Sequence, residues 1–188
     1  MTINAESGWI ESVRRAPSPN CDDRPPGCAA ELVVVHGISL PPGQFGGPWI
    51  AQLFNNELCP GEHEYFATIA HLRVSAHVLI TRSGKLTQFV PFTKRAWHAG
   101  ESAYCGRRQC NDYSIGIELE GTDDTAYEPR QYETLAILIN ELRRVYRSLR
   151  AAEVVGHCDI APGRKTDPGP MFDWQLLASL TARSDPLP

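Results

Sequence analysis

The sequence predicts a mixed α/β fold, a single mixed β-sheet flanked by helices, and three observations carry that reading. Short β-branched or alternating apolar runs recur near residues 31, 72, 86, 114 and 153, an amphipathic helix opens at Pro129, and a second helical pattern ends the chain. At 188 residues there is length for one well-buried domain and little for two, so 1–188 reads as a single domain. Its 15 Gly and 15 Pro imply many turns and long loops.

Taken in order, residues 1–30 are rich in Pro, Asp and Arg without periodicity and read as a surface arm anchored by Trp9 and Ile10. Glu31-Leu32-Val33-Val34-Val35 reads as a buried strand that delivers His36 at its carboxyl end. The stretch 39–64 carries Pro41, Pro42, Gly43, Gly46, Gly47, Pro48, Pro60 and Gly61. It reads as a long substrate-side loop with one short helix near Trp49 to Phe54. From His71 to Thr81 the alternation places Leu72, Val74, Ala76, Val78 and Ile80 on one face, and Arg82-Ser83-Gly84-Lys85 then turns into Leu86 to Val90.

Ser114 to Glu120 is another strand, with Ile115, Ile117 and Leu119 facing one way and Gly116, Glu118 and Glu120 the other. In the helix from Pro129, Tyr132, Leu135, Ala136, Ile139, Leu142 and Tyr146 follow the 3.6 period, and arginines load its carboxyl-terminal half. Val154-Val155 reads as a short strand feeding His157, and Asp173 to Ala182 as a final helix that buries Trp174, Leu177 and Leu180.

Composition excludes several functions. A net charge of -4 leaves no basic footprint for nucleic acid. The first residues lack the basic start and apolar run of a secretory signal, and no stretch approaches the ~20 apolar residues of a membrane span. The expectation is a cytoplasmic monomer without a membrane or nucleic-acid partner. The six cysteines form no Cys-x-x-Cys pair, and in that compartment free thiols are expected.

Chemistry concentrates in the loop from Gly156 to Gly169, where His157, Lys165 and Asp167 sit among Gly and Pro. With His36, the residues His157 and Asp167 make a two-histidine, one-carboxylate set, the pattern of a catalytic zinc whose fourth position is left to water. Glu118, projecting between apolar neighbours, is the candidate base, and Lys165 the candidate stabiliser of an oxyanion. The implied reaction is hydrolysis of an amide or ester. Spacing alone leaves rivals: a histidine at a strand end is more often structural, Glu120 equals Glu118 as a base, and His63, His71, His77, His98 and Cys158 compete as ligands.

Five collinear motifs resolve that choice: Ile38-Ser39-Leu40-Pro41-Pro42-Gly43, His71 to His77, Arg95-Ala96-Trp97-His98-Ala99-Gly100, Ser114 to Thr122, and Lys165-Thr166-Asp167-Pro168-Gly169. Across Gly8 to Trp174 the chain resembles the cytoplasmic 1,6-anhydro-N-acetylmuramyl-L-alanine amidases of Gram-negative bacteria, relatives of the T7 lysozyme type of amidase and of peptidoglycan recognition proteins. The resemblance implies a T7 lysozyme-like amidase fold, one Zn2+ per chain on His36, His157 and Asp167, Glu118 as proton acceptor and Lys165 as transition-state stabiliser. It implies a muropeptide substrate, cut between N-acetylmuramic acid and L-alanine during peptidoglycan recycling, with an influence on β-lactamase induction. Arg73, Trp97, His98, Ala99 and Arg107 become substrate-side candidates by proximity to the matching motifs. Two positions depart from the family: Gly37 stands where asparagine is common, and Gln109 where arginine often precedes the Cys110-Asn111-Asp112 segment. A non-catalytic peptidoglycan-binding module and a periplasmic amidase acting on intact cell wall are the rival readings.

Overall fold

The computed structural model describes residues 1–182; residues 183–188 of the expected domain lie outside it. Ten strands form in chain order: β1 (Arg14–Arg15), β2 (Cys21–Asp23), β3 (Leu32–Ile38), β4 (Val78–Ile80), β5 (Leu86–Gln88), β6 (Lys94–Ala96), β7 (Ala103–Tyr104), β8 (Arg107–Arg108), β9 (Ser114–Glu120) and β10 (Val154–Gly156). The helices are α1 (Trp49–Phe54), α2 (Glu64–Ile69), α3 (Pro129–Val145), α4 (His157–Ile160) and α5 (Trp174–Ala182). The main sheet runs β1-β5-β4-β9-β3-β10, with β4 antiparallel to β5 and the other pairs parallel. The architecture is therefore the expected mixed sheet with helices packed on it.

Burial on both faces explains the unbroken apolar character of β3, since a parallel strand covered twice gains nothing from alternation. Val33 and Val35 join Ile115, Ile117 and Leu119 of β9 under α3 and α5, together with Leu135, Leu138, Ile139 and Leu177. Leu32 and Val34 point to the opposite face, toward Ala99, Tyr113 and Ile160. Helix α3 starts at Pro129, whose fixed φ and missing N–H suit a first turn, and Glu128 N donates to Gln131 Oε1 in its capping box. Ile10 is fully buried and Trp9 half-buried at the amino-terminal end.

Three expectations need correction. Strand β3 does not stop at His36 but continues to Ile38, so His36 lies within the strand, directly in register with Glu118. The alternating run from His71 is not one strand: only Val78–Ile80 belongs to the sheet. Ala76 and Val74 pack with Leu79 and Phe89 on one side, whereas Val78 and Ile80 face α3 on the other. The switch of face between Ala76 and Val78 breaks the period-2 pattern, and Ser75 N and His77 N donate separately to Trp97 O and Gly116 O. In the final helix Leu177 alone is fully buried, with Trp174 and Leu180 only partly covered.

Candidate active site

The strands and loops place His36, His157 and Asp167 together. His36 Nδ1 lies 2.9 Å from His157 Nδ1 and 3.3 Å from Asp167 Oδ2, and His157 Nδ1 lies 3.1 Å from the same oxygen. Among the described residues these three form the group whose ligand atoms meet closely enough to hold a metal ion. The donor atoms of a tetrahedral zinc site with 2.0–2.1 Å bonds are separated by about 3.3 Å. The observed triangle thus fits such an ion with small adjustment.

Each ligand is positioned by its local structure. His36 comes from β3, His157 is the first residue of α4 just after β10, and Asp167 O accepts from Cys158 N, which ties the loop back to α4. Gly37 N also points at Asp167 Oδ2, at 3.4 Å. Burial pushes the His36 imidazole down to about 4, so it is neutral at neutral pH. Burial works to raise the Asp167 carboxyl, but hydrogen bonds to His157 and His36 outweigh it and hold the group well below the usual carboxylate range. Two imidazoles and a carboxylate aimed at one point are ligand types that a divalent cation takes.

Glu118 sits beside this triangle on the neighbouring strand. Its side chain is buried, and Oε2 has no hydrogen-bond partner. Burial raises its pKa well above the ordinary value, the Asp167 charge raises it further, and Lys165 opposes both. Glu120, its rival in sequence, is occupied: it accepts from Gly46 N and Arg82 N and so fastens the loop carrying Gly46 to the end of β9. His63 caps α2 by accepting from Tyr65 N, His71 is exposed, and His77 accepts from Gly116 N on the back of the site. Cys158 Sγ lies near Asp159, not toward the triangle.

A cleft of about 580 Å³ opens on these groups. Its lining includes the polar groups of His36, Glu118, His157, Lys165 and Asp167 and the apolar side chains of Leu40, Leu53, Tyr65, Ile69 and Leu72. Lys165 is exposed and faces the cleft from the loop.

The five substrate-side candidates are dispersed. His98 reaches the cleft but lies behind His36, with its Nδ1 2.9 Å from His36 Nε2. Trp97 Nε1 donates to Asp22, and Ala99 O receives His157 Nε2 at 3.4 Å and Arg164 at 2.7 Å. Arg73 is exposed beside Leu72 O, and Arg107 pairs with Glu31 and stacks on Tyr113 away from the cleft. The sequence reading misses the cleft wall built by Tyr65, Ile69 and Leu72 because it misses α2. The signal that could have found it is the cap at His63 followed by Phe66 and Ile69 three residues apart. At Gly37 a Cβ would collide with Tyr127 Oη, so the departure from asparagine leaves room for a tyrosine that donates to Pro168 O.

Known proteins resemble the chain in sequence and in fold. A family model described as N-acetylmuramoyl-L-alanine amidase matches residues 26–170. The 1,6-anhydro-N-acetylmuramyl-L-alanine amidase AmpD of Citrobacter freundii is 57% identical over 179 residues, covering 95% of each chain. The N-acetylmuramoyl-L-alanine amidase AmiD of Escherichia coli is 38% identical over 173 residues, covering 81% of this chain and 62% of its own. The crystal structure of a selenomethionine AmpD derivative superposes with a TM-score of 0.92 at 56% identity, covering 96% of this chain and 99% of the other. E. coli AmiD, solved with anhydro-N-acetylmuramic acid-L-Ala-D-gamma-Glu-L-Lys, superposes with a TM-score of 0.56 at 27% identity, over 92% of this chain and 60% of its own. The family model over residues 26–170 and the 57% identity across 95% of both chains place the chain in the N-acetylmuramoyl-L-alanine amidase family.

Proposed function

We propose that this chain is a zinc-dependent amidase that hydrolyses the bond between (1,6-anhydro-)N-acetylmuramic acid and the L-alanine of a stem peptide, in cytoplasmic recycling of peptidoglycan. The observation that carries the reading is the convergence of His36, His157 and Asp167 in a cleft that also holds Glu118, whose Oε2 is unpartnered. Similarity to AmpD over 95% of both chains supports the substrate.

His36, His157 and Asp167 are the residues that would hold the ion, which when bound supplies a Lewis acid for a carbonyl and acidifies water. Glu118 accepts a proton from the attacking water through its free Oε2 and returns it to the departing alanine nitrogen. Lys165 opposes the upward push of burial and of the Asp167 carboxylate on Glu118, and a bound ion would oppose it further. Lys165 meets negative charge as it develops on the lactyl carbonyl oxygen. The apolar wall of Leu40, Tyr65 and Leu72 packs against the less polar parts of the substrate and excludes water there. Residues 39–64 lie on the substrate side, with one Zn2+ per monomer.

The reducing compartment is supported by the six cysteines, all of them free. No helix of the described residues is long and apolar enough to cross a membrane. Mass spectrometry of products from a defined anhydro-muramyl tripeptide tests the reaction: anhydro-N-acetylmuramic acid plus free tripeptide is expected. Binding of that fragment without any cleavage supports the non-catalytic module, and faster cleavage of intact sacculi than of the fragment supports the periplasmic reading.

A further inference from the structure

Metal-ligating histidines depend on what their other ring nitrogen touches, because that contact fixes the tautomer and the ring's orientation. His157 Nε2 lies 3.4 Å from Ala99 O. A carbonyl only accepts, so Nε2 donates there, and Nδ1 is the nitrogen turned toward Asp167 and His36. His36 has no carbonyl at its second nitrogen. Its Nε2 lies 2.9 Å from His98 Nδ1, and an imidazole can donate or accept at either nitrogen.

The ambiguity ends two residues further along. Ser114 Oγ lies 2.6 Å from Cys110 O, so the hydroxyl donates there and can only accept from His98 Nε2, 3.0 Å away. His98 Nε2 therefore carries the hydrogen, His98 Nδ1 is bare, and His36 Nε2 must donate to it. His36 Nδ1 is then the nitrogen that faces the metal-ligand triangle. Backbone geometry supports the arrangement independently. A Cβ at Gly116 would collide with His98 Cγ, so the glycine of β9 opens the slot in which the imidazole stands edge-on to His36. Asn111 Oδ1 accepts from His98 N and Ala99 N and holds the two neighbouring residues that back the two ligand histidines. Along one face of β9, Ser114 ends the chain of hydrogen bonds, Gly116 makes the space, and Glu118 faces the cleft.

We propose that His98, held by Ser114 and Cys110 O, is a positioning residue that locks His36 in the tautomer able to bind metal. The proposal rests on the metal reading of the triangle. Its test uses the full chain, zinc alone as probe, and two near-isosteric variants. His98→Asn keeps an oxygen where Nδ1 stood, whereas His98→Leu keeps the volume and loses the acceptor.

Competition with a chromophoric chelator is expected to show zinc bound about 10–100-fold more weakly by His98→Leu, with most of the loss recovered in His98→Asn. Ser114→Ala, which frees the His98 tautomer, is expected to fall between them. Two-bond 1H–15N correlations of the metal-free, unaltered protein are expected to show His36 as the Nε2–H form. Equal zinc affinities for the Asn and Leu variants overturn the proposal, as does a His36 that carries its hydrogen on Nδ1. If the leucine variant fails to fold, the tautomer in the unaltered protein decides. An unaltered protein that binds no zinc while His36 is the Nε2–H form refutes the metal reading and leaves the tautomer lock standing.

Discussion

Replacing Glu118 by Gln preserves shape and hydrogen-bonding reach while removing the proton acceptor, and two effects of opposite sign should follow. Positioned general bases contribute about 10²–10⁴-fold, or about 2.7–5.5 kcal/mol of transition-state stabilisation, so kcat on the anhydro-muramyl tripeptide should fall by that factor. Stability should move the other way. Glu118 is buried, Oε2 lacks a partner, and its folded pKa is raised by burial and by Asp167. A raised acid binds more protons folded than unfolded, so the metal-free protein loses stability as pH rises above the unfolded value of about 4.3. The loss is about 1.4 kcal/mol per pH unit until the folded pKa is reached. Denaturant melts of metal-free protein at pH 5 and pH 8 should therefore show a decline for the unaltered chain and a flatter response for Glu118→Gln. Two results would refute the reasoning: kcat within a factor of three of the unaltered enzyme, or identical pH slopes for the two proteins.

Lys165→Ala should lower kcat by about 10²–10³-fold with little change in KM, because a group that meets charge only in the transition state leaves substrate binding alone. Its exposure predicts a melting temperature close to that of the unaltered protein. Leu72→Ser trims the apolar wall of the cleft and should raise KM about fivefold at constant kcat, from about 1 kcal/mol of lost apolar contact; an unchanged KM would place the substrate elsewhere. His77 is held neutral, its pKa lowered to about 3 by burial and then by Arg24. A lowered histidine leaves stability intact above about pH 6.5 and costs about 2 kcal/mol by pH 5, so His77→Asn, which retains an acceptor for Gly116 N, should flatten that acid limb by the same amount.

Strong local patterns were legible. Ser114 to Glu120 shows its two faces because Ile115, Ile117 and Leu119 meet α3 while Gly116 and Glu118 meet the site. The helix from Pro129 is equally plain, since its proline start and 3.6-residue stripe agree. What stayed hidden depends on distant partners. His36 reads as a strand terminus because Gly37 follows it, yet pairing with β9 carries β3 on to Ile38. The run from His71 to Thr81 alternates in composition, but Val74 and Ala76 join one cluster and Val78 and Ile80 the other, which no single-strand pattern encodes. Glu118 and Glu120 are indistinguishable by spacing; backbone amides from Gly46 and Arg82 occupy one and leave the other bare. His98 reads as a substrate-side residue because it neighbours a matching motif; that it also stands behind His36 follows from a contact between residues 62 apart in sequence.

The metal triangle is the centre of the account, and metal reconstitution tests it most directly. Protein stripped by chelation, verified metal-free by elemental analysis, should release no tripeptide from anhydro-muramyl tripeptide, and activity should return in proportion to added zinc, reaching a plateau at one ion per chain. Full turnover by the verified metal-free protein, or zinc binding that survives replacement of both His36 and Asp167, would contradict it.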